Sequence, residues 1–95
     1  TFAEGLAVRI ANPEALAMIL DGVDHITAVS DDELAQAMRT LFSATHNVVE
    51  GAGASTFAAL MRERADWAGR RIGIVLSGGN IDRARYLKVL NGETP

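Results

Sequence analysis

The chain has 95 residues, 48% hydrophobic and 22% charged, with a net charge of −3. That is the balance of one small globular domain, not of a disordered tail. Nine basic residues against 12 acidic ones leave no basic stripe, so no nucleic-acid partner is expected. No apolar run approaches the ~18 residues of a membrane span. No signal-peptide core opens the chain, so no membrane partner is expected either. The absence of cysteine excludes disulfides and cysteine-ligated zinc, and fits a cytoplasmic protein. A chain of this length buries roughly 60–65% of its unfolded surface, enough for a core with little margin.

Thr1–Ala11 reads as irregular or weakly helical. Asn12 is a good N-cap and Pro13 suits the first helical position, which predicts a helix over Pro13–Asp21 stopped by Gly22. Leu16, Ile19, Leu20 and Val23 share its apolar face. His25–Val29, with β-branched Ile26, Thr27 and Val29, reads as a short strand. Ser30 followed by Glu33 is a capping box, and Asp31 and Asp32 suit the positive end of a helix. The helix it opens carries Leu34, Ala37, Met38, Leu41 and Phe42 on one face, to about His46.

Glu50–Ala54 is a turn of small residues that feeds a third helix bearing Phe57, Leu60 and Met61 and ending near Trp67–Gly69. Ile72–Leu76 is a continuous apolar run, expected of a strand covered on both faces. Ser77–Asn80 terminates it. Asn80 is placed to cap a last helix with Ile81, Ala84, Leu87 and Leu90, stopped at Asn91-Gly92. The order predicts α/β layering with parallel pairing, two strands and about four helices. Two short strands make a poor sheet, and the chain starts at Thr1 inside what reads as a continuing sequence. A fragment of a larger domain is therefore expected.

The sharpest constellation is Ile74–Asp82, an apolar run meeting Ser77, Gly78 and Gly79 before a helix. In open α/β sheets ligands lie at the carboxyl ends of strands, where glycines admit close approach. A plain strand-to-helix turn accounts for the same residues. Glu50 beside Gly51-Ala52-Gly53 either clears room for a planar ligand or allows tight helix packing. His25 and His46 lack metal-ligand spacing, and no metal site is assigned. Arg62-Glu63-Arg64 and Arg70-Arg71 read as solvated charges, and Trp67 as an anchor at a helix end. Lys88, the only lysine, sits between apolar Leu87 and Val89 with nothing to activate it.

Taken together, Thr1–Gly5, Val29–Glu33 with Ala37-Met38, Glu50–Ala54 and Ser77–Asp82 resemble the C-terminal catalytic segment of the serine/threonine dehydratases. These are threonine ammonia-lyases, serine dehydratases and serine racemases, pyridoxal-phosphate enzymes of the tryptophan synthase β-subunit fold. The resemblance covers about residues 1–85. It implies that residues 1–95 are the C-terminal part of the large cofactor-binding domain of a three-layer parallel-sheet protein, with no separate regulatory domain visible. It implies that Ser77 hydrogen-bonds the pyridine nitrogen, that Gly78 and Gly79 pass close to the ring, and that Glu50 lines the cofactor pocket. Glu4 and Gly5 would lie beside the substrate or cofactor face. The family usually has aspartate where Glu4 stands, so substrate identity is the open point.

The Schiff-base lysine, in a Ser-Phe-Lys context, the phosphate-binding glycine loop and the cation-binding carboxylates of this family lie upstream, so no catalytic residue is assigned here. The implied whole protein is a lyase converting L-threonine or L-serine to a 2-oxo acid and ammonia. Its expected partners are a small amino-acid substrate, the rest of the same catalytic domain and further copies in a homo-oligomer. A racemase, or a dehydratase of another hydroxylated substrate, is the alternative within the family. A non-catalytic module binding an anion at Ser77–Asn80, or serving as an interaction surface, is the alternative outside it. Residues 1–95 alone are expected to be inactive and to depend on partner surface. Cofactor-dependent turnover by the isolated segment, in an assay for 2-oxo acid, would refute the first expectation, and a compact stable monomer on sedimentation would refute the second.

Overall fold

The capping box at Ser30 starts the helix around which the core is assembled. Ser30 Oγ accepts from the Glu33 N–H at 3.2 Å, and Glu33 Oε2 accepts from the Ser30 N–H at 2.7 Å. Two otherwise orphaned donors are thereby satisfied where the helix begins. A computed structural model describes all of residues 1–95. In chain order it holds a 3-10 turn at Glu4–Leu6, then α1 (Pro13–Gly22), α2 (Asp31–Thr45), α3 (Gly51–Arg62) and α4 (Arg83–Leu90).

The expected α/β layering is not found: the chain forms four α-helices and no strand. Neither His25–Val29 nor Ile72–Leu76 exchanges a backbone hydrogen bond with any other segment. Their β-branched composition is expressed only where a neighbouring strand offers a ladder and a packing face. Neither segment has such a neighbour, and Ile26 and Val75 are left exposed.

α2 buries Leu34, Ala35, Ala37, Met38 and Leu41, which includes most of the expected face. Phe42 is half-buried and meets Tyr86 edge-on, with ring centroids 5.8 Å apart. α3 packs on α2 through Ala54 and Ala58, and α4 through Val89. The expected apolar face of α4 is turned: Leu87 and Leu90 are exposed while Val89 is fully buried. Arg39 of α2 donates to the carbonyls of Val89 and Glu93 at 3.1 and 3.3 Å, satisfying acceptors at the end of α4. His46 closes α2 in the left-handed region, φ 59°, with its N–H on the Phe42 carbonyl.

Boundaries moved at three places. α3 starts at Gly51, so the small-residue run is its first turn and not a separate loop. It ends at Arg62, and residues 63–69 form turns instead. α4 starts at Arg83 after Asp82; Asn80 does not cap it. α1 is capped as expected, by Asn12 Oδ1 accepting from the N–H groups of Glu14 and Ala15. It has no buried residue and packs on no other element. Only 12 of the 95 residues are buried, so the core is small for the length. Leu16, Met18, Ile19, Leu20 and Val23 are accordingly left 40–76% exposed. No helix is long and apolar enough to cross a membrane.

Glu63, read from sequence as a solvated charge, is instead the centre of a polar clasp. Its carboxylate accepts from Thr27 Oγ1, from His25 Nε2 at 3.2 Å and from Trp67 Nε1 at 3.2 Å. His25 Nδ1 faces Asp24 at 2.8 Å. Both ring nitrogens thus face carboxylates, which only the doubly protonated imidazolium satisfies as a donor twice over. The hydrogen bonds to Asp24 and then Glu63 raise the His25 pKa above 6.5. Thr27, then His25, hold Glu63 below 4.5.

A raised histidine contributes fully below its ordinary value and stops contributing as pH rises through its folded value. A lowered glutamate contributes above its ordinary value and stops as pH falls through its folded value. The clasp is therefore complete between about pH 4.5 and 6.5. Raising the pH from 6 toward 9 is expected to shift Trp67 fluorescence, because Trp67 shares the Glu63 carboxylate with His25. His25→Gln is expected to flatten that dependence. A wild-type profile as flat as the variant's would show that His25 is not the titrating group.

Candidate functional site

Three segments converge on the N-terminus of α3. The first is the 3-10 turn, closed by Leu6 N–H on the Ala3 carbonyl at 2.9 Å and anchored by buried Ala3. Phe2 lays its ring against Gly51, where an added methyl would come within 2.8 Å. The second is Val49-Glu50. Val49 is buried in the core, and Glu50 takes the cap position of α3 without a side-chain cap bond. The third is the Ser77–Asp82 loop, fastened by the Glu50 N–H donating to the Gly78 carbonyl at 3.0 Å.

This contact is tight. A methyl on Gly53 would lie 2.5 Å from the Gly78 carbonyl oxygen, and one on Gly78 would lie 2.8 Å from Glu50 Oε1. Gly79 is held as closely against the Val48 carbonyl, at 2.5 Å by the same construction. Gly53 and Gly79 are required by close backbone approach, whereas Gly78 faces the movable Glu50 side chain.

Between the 3-10 turn, the start of α3 and the 80–85 segment lies a cleft of about 360 Å³. Glu4, Gly5, Glu50, Asn80, Asp82 and Arg85 are among the residues that line it. The Glu50 carboxylate is half-buried between Gly5 and Gly78. Arg85 Nη1 donates to Glu4 Oε1 at 3.0 Å across the mouth. Of the six residues singled out from the sequence, Glu4, Gly5 and Glu50 line this cleft. Gly78 lies behind Glu50, Gly79 against Val48, and Ser77 is exposed at the loop's start. Arg85 was not anticipated; it stands 81 residues from Glu4, and no local pattern signals a pairing at that separation. Lys88 is exposed on α4 and does not line the cleft.

A planar, phosphorylated heterocycle has two ends, and these residues suit only one of them. The Ser77 hydroxyl takes no hydrogen bond within the chain and is open to a ring nitrogen, beside two residues without side chains. The phosphate end has no fitting partner. The cleft holds three carboxylates, and its one guanidinium is already engaged by Glu4.

The chain belongs to the pyridoxal-phosphate-dependent enzyme family, which matches residues 1–78. Members of that family depend on pyridoxal phosphate. Among curated relatives, the L-threo-3-hydroxyaspartate ammonia-lyase of Saccharomyces cerevisiae is 34% identical over 98% of this chain and 28% of its own length. The L-threonine ammonia-lyase of Geobacter sulfurreducens is 42% identical over 86% of this chain and 20% of its own. The serine racemase of Schizosaccharomyces pombe is 34% identical over 96% of this chain and 28% of its own. The chain thus spans between a fifth and three-tenths of the length of these relatives.

Substituting Gly53→Ala forces a methyl against backbone on the facing loop, and this is expected to destabilise by about 1–3 kcal/mol. Gly22→Ala, with nothing within 4 Å, is the control. It is expected to be neutral or stabilising by up to about 1 kcal/mol. Urea unfolding of both variants checks the pair, and equal midpoints would show that the loop contact is not tight in solution.

Proposed function

We propose that residues 1–95 form one wall of the active site of a pyridoxal-phosphate-dependent ammonia-lyase that converts L-threonine or L-serine to a 2-oxo acid and ammonia. The observation that carries this reading is the placement of Glu50. Its carboxylate sits between Gly5 and Gly78, and its N–H ties the Ser77–Asp82 loop to the cleft. Motifs 28 and 45 residues apart in sequence thereby form one surface. The family match over residues 1–78 supports the same reading.

When bound, the cofactor supplies the electron sink that α-proton loss and β-elimination need. Ser77 offers its neutral hydroxyl to the pyridine nitrogen, and it does not hold a proton there as a carboxylate would. Gly78 and Gly79 keep side chains away from the ring face. Glu50 lines the ring pocket, and Glu4 with Gly5 forms the substrate side. The Schiff-base lysine and the phosphate loop come from the rest of the catalytic domain, which also covers the apolar surface of α1. By itself the segment holds no nucleophile and is inactive.

The whole protein carrying Ser77→Ala tests this. It is expected to retain cofactor, read by its visible absorbance, and to lose roughly tenfold in kcat/KM for threonine, the worth of one hydrogen bond of about 1–1.5 kcal/mol. Absence of cofactor from the wild-type protein would overturn the proposal. Interconversion of L- and D-serine with little 2-oxo acid would replace the lyase with the racemase, the activity named for the fission-yeast relative.

A further inference from the structure

The geometry points to the Glu4–Arg85 pair as a specificity determinant that admits β-hydroxy amino acids with neutral side chains and turns away those with a second carboxylate. This rests on the reading of the cleft as the substrate side of a lyase site. The two substrates named for the relatives above pose the choice cleanly. L-threonine carries a methyl where L-threo-3-hydroxyaspartate carries a carboxylate, and both carry the β-hydroxyl that leaves.

Arg85 is the only cation lining the cleft. A guanidinium facing a substrate pocket is the natural partner of a distal carboxylate, because its fork of N–H donors matches two oxygens. In this chain a protein carboxylate already engages it: Arg85 Nη1 donates to Glu4 Oε1 at 3.0 Å. Glu50 and Asp82 line the same cleft. Three carboxylates against one guanidinium leave the cleft with two negative charges, so a second substrate carboxylate meets repulsion where it needs a partner. The Arg85 side chain is 35% exposed and that of Glu4 77%. An exposed pair of this kind contributes little to stability, which leaves Glu4 open to change without loss of the fold. Its consequence lies in which substrate charge the cleft tolerates, since like charge brought close discriminates between partners.

The test uses the whole protein with bound cofactor and compares kcat/KM for L-threonine and L-threo-3-hydroxyaspartate. The wild type is expected to favour threonine by at least tenfold. Glu4→Gln removes one negative charge and frees Arg85, and is expected to move the ratio at least tenfold toward hydroxyaspartate. Glu4→Gln combined with Arg85→Gln is expected to lose most of that gain, which marks the freed guanidinium as its source. A ratio unmoved by Glu4→Gln, a gain that survives removal of Arg85, or a wild type that prefers hydroxyaspartate would each overturn the inference while leaving a lyase in place. A protein that turns over neither substrate would overturn the lyase reading and this inference with it.

Discussion

The approach of the Ser77–Asp82 loop to the first turn of α3 is the contact on which the site depends. It brings two backbones closer than any side chain permits, with Gly53 and Gly78 facing each other and the Glu50 N–H bonded across the gap. Gly5, Glu50, Gly78 and Gly79 all lie around that seam. The 3-10 turn reaches it from one side through Phe2 on Gly51, and α4 follows from the loop on the other. A methyl on Gly53 would meet the Gly78 carbonyl oxygen at 2.5 Å, so the seam has no room for a side chain.

The seam is held by a core that is narrow but well specified. α2, started by its capping box, presents Leu34, Met38 and Leu41 to α3 and α4, and Val49 links that core directly to Glu50. Alanines at 54 and 58 let α3 lie close to α2, so the N-terminus of α3 is rigidly placed. α1 and the surroundings of Glu63 are different in kind. α1 is well capped yet packs on nothing, and the segments on either side of Glu63 are tied by a polar clasp and not by apolar packing. Apolar surface of that extent is what a larger catalytic domain would cover.

Four side chains set the charge balance of the cleft. Glu4, Glu50 and Asp82 bring three carboxylates to it, and Arg85 is its one guanidinium. None of the four is fully buried, and repulsion between like charges operates across an open cleft as well as in a closed one.

Local signals in the sequence determined the caps of α1 and α2. Asn12-Pro13 and Ser30 with Glu33 act over three or four residues, so they are read without knowing the fold. Of the motif positions, Glu4, Gly5 and Glu50 come together in one cleft, whereas Ser77, Gly78 and Gly79 do not line it. What only the tertiary structure decided is everything that needs a second segment. The β-branched runs at His25–Val29 and Ile72–Leu76 form no strand without a ladder partner. The buried face of α4 turned to Val89 because α2 meets it there. Glu63 became a hydrogen-bond centre through Thr27, His25 and Trp67, and Arg85 met Glu4 across the whole length of the chain. Caps are local energies, whereas pairing, packing and charge selection are set by what stands opposite.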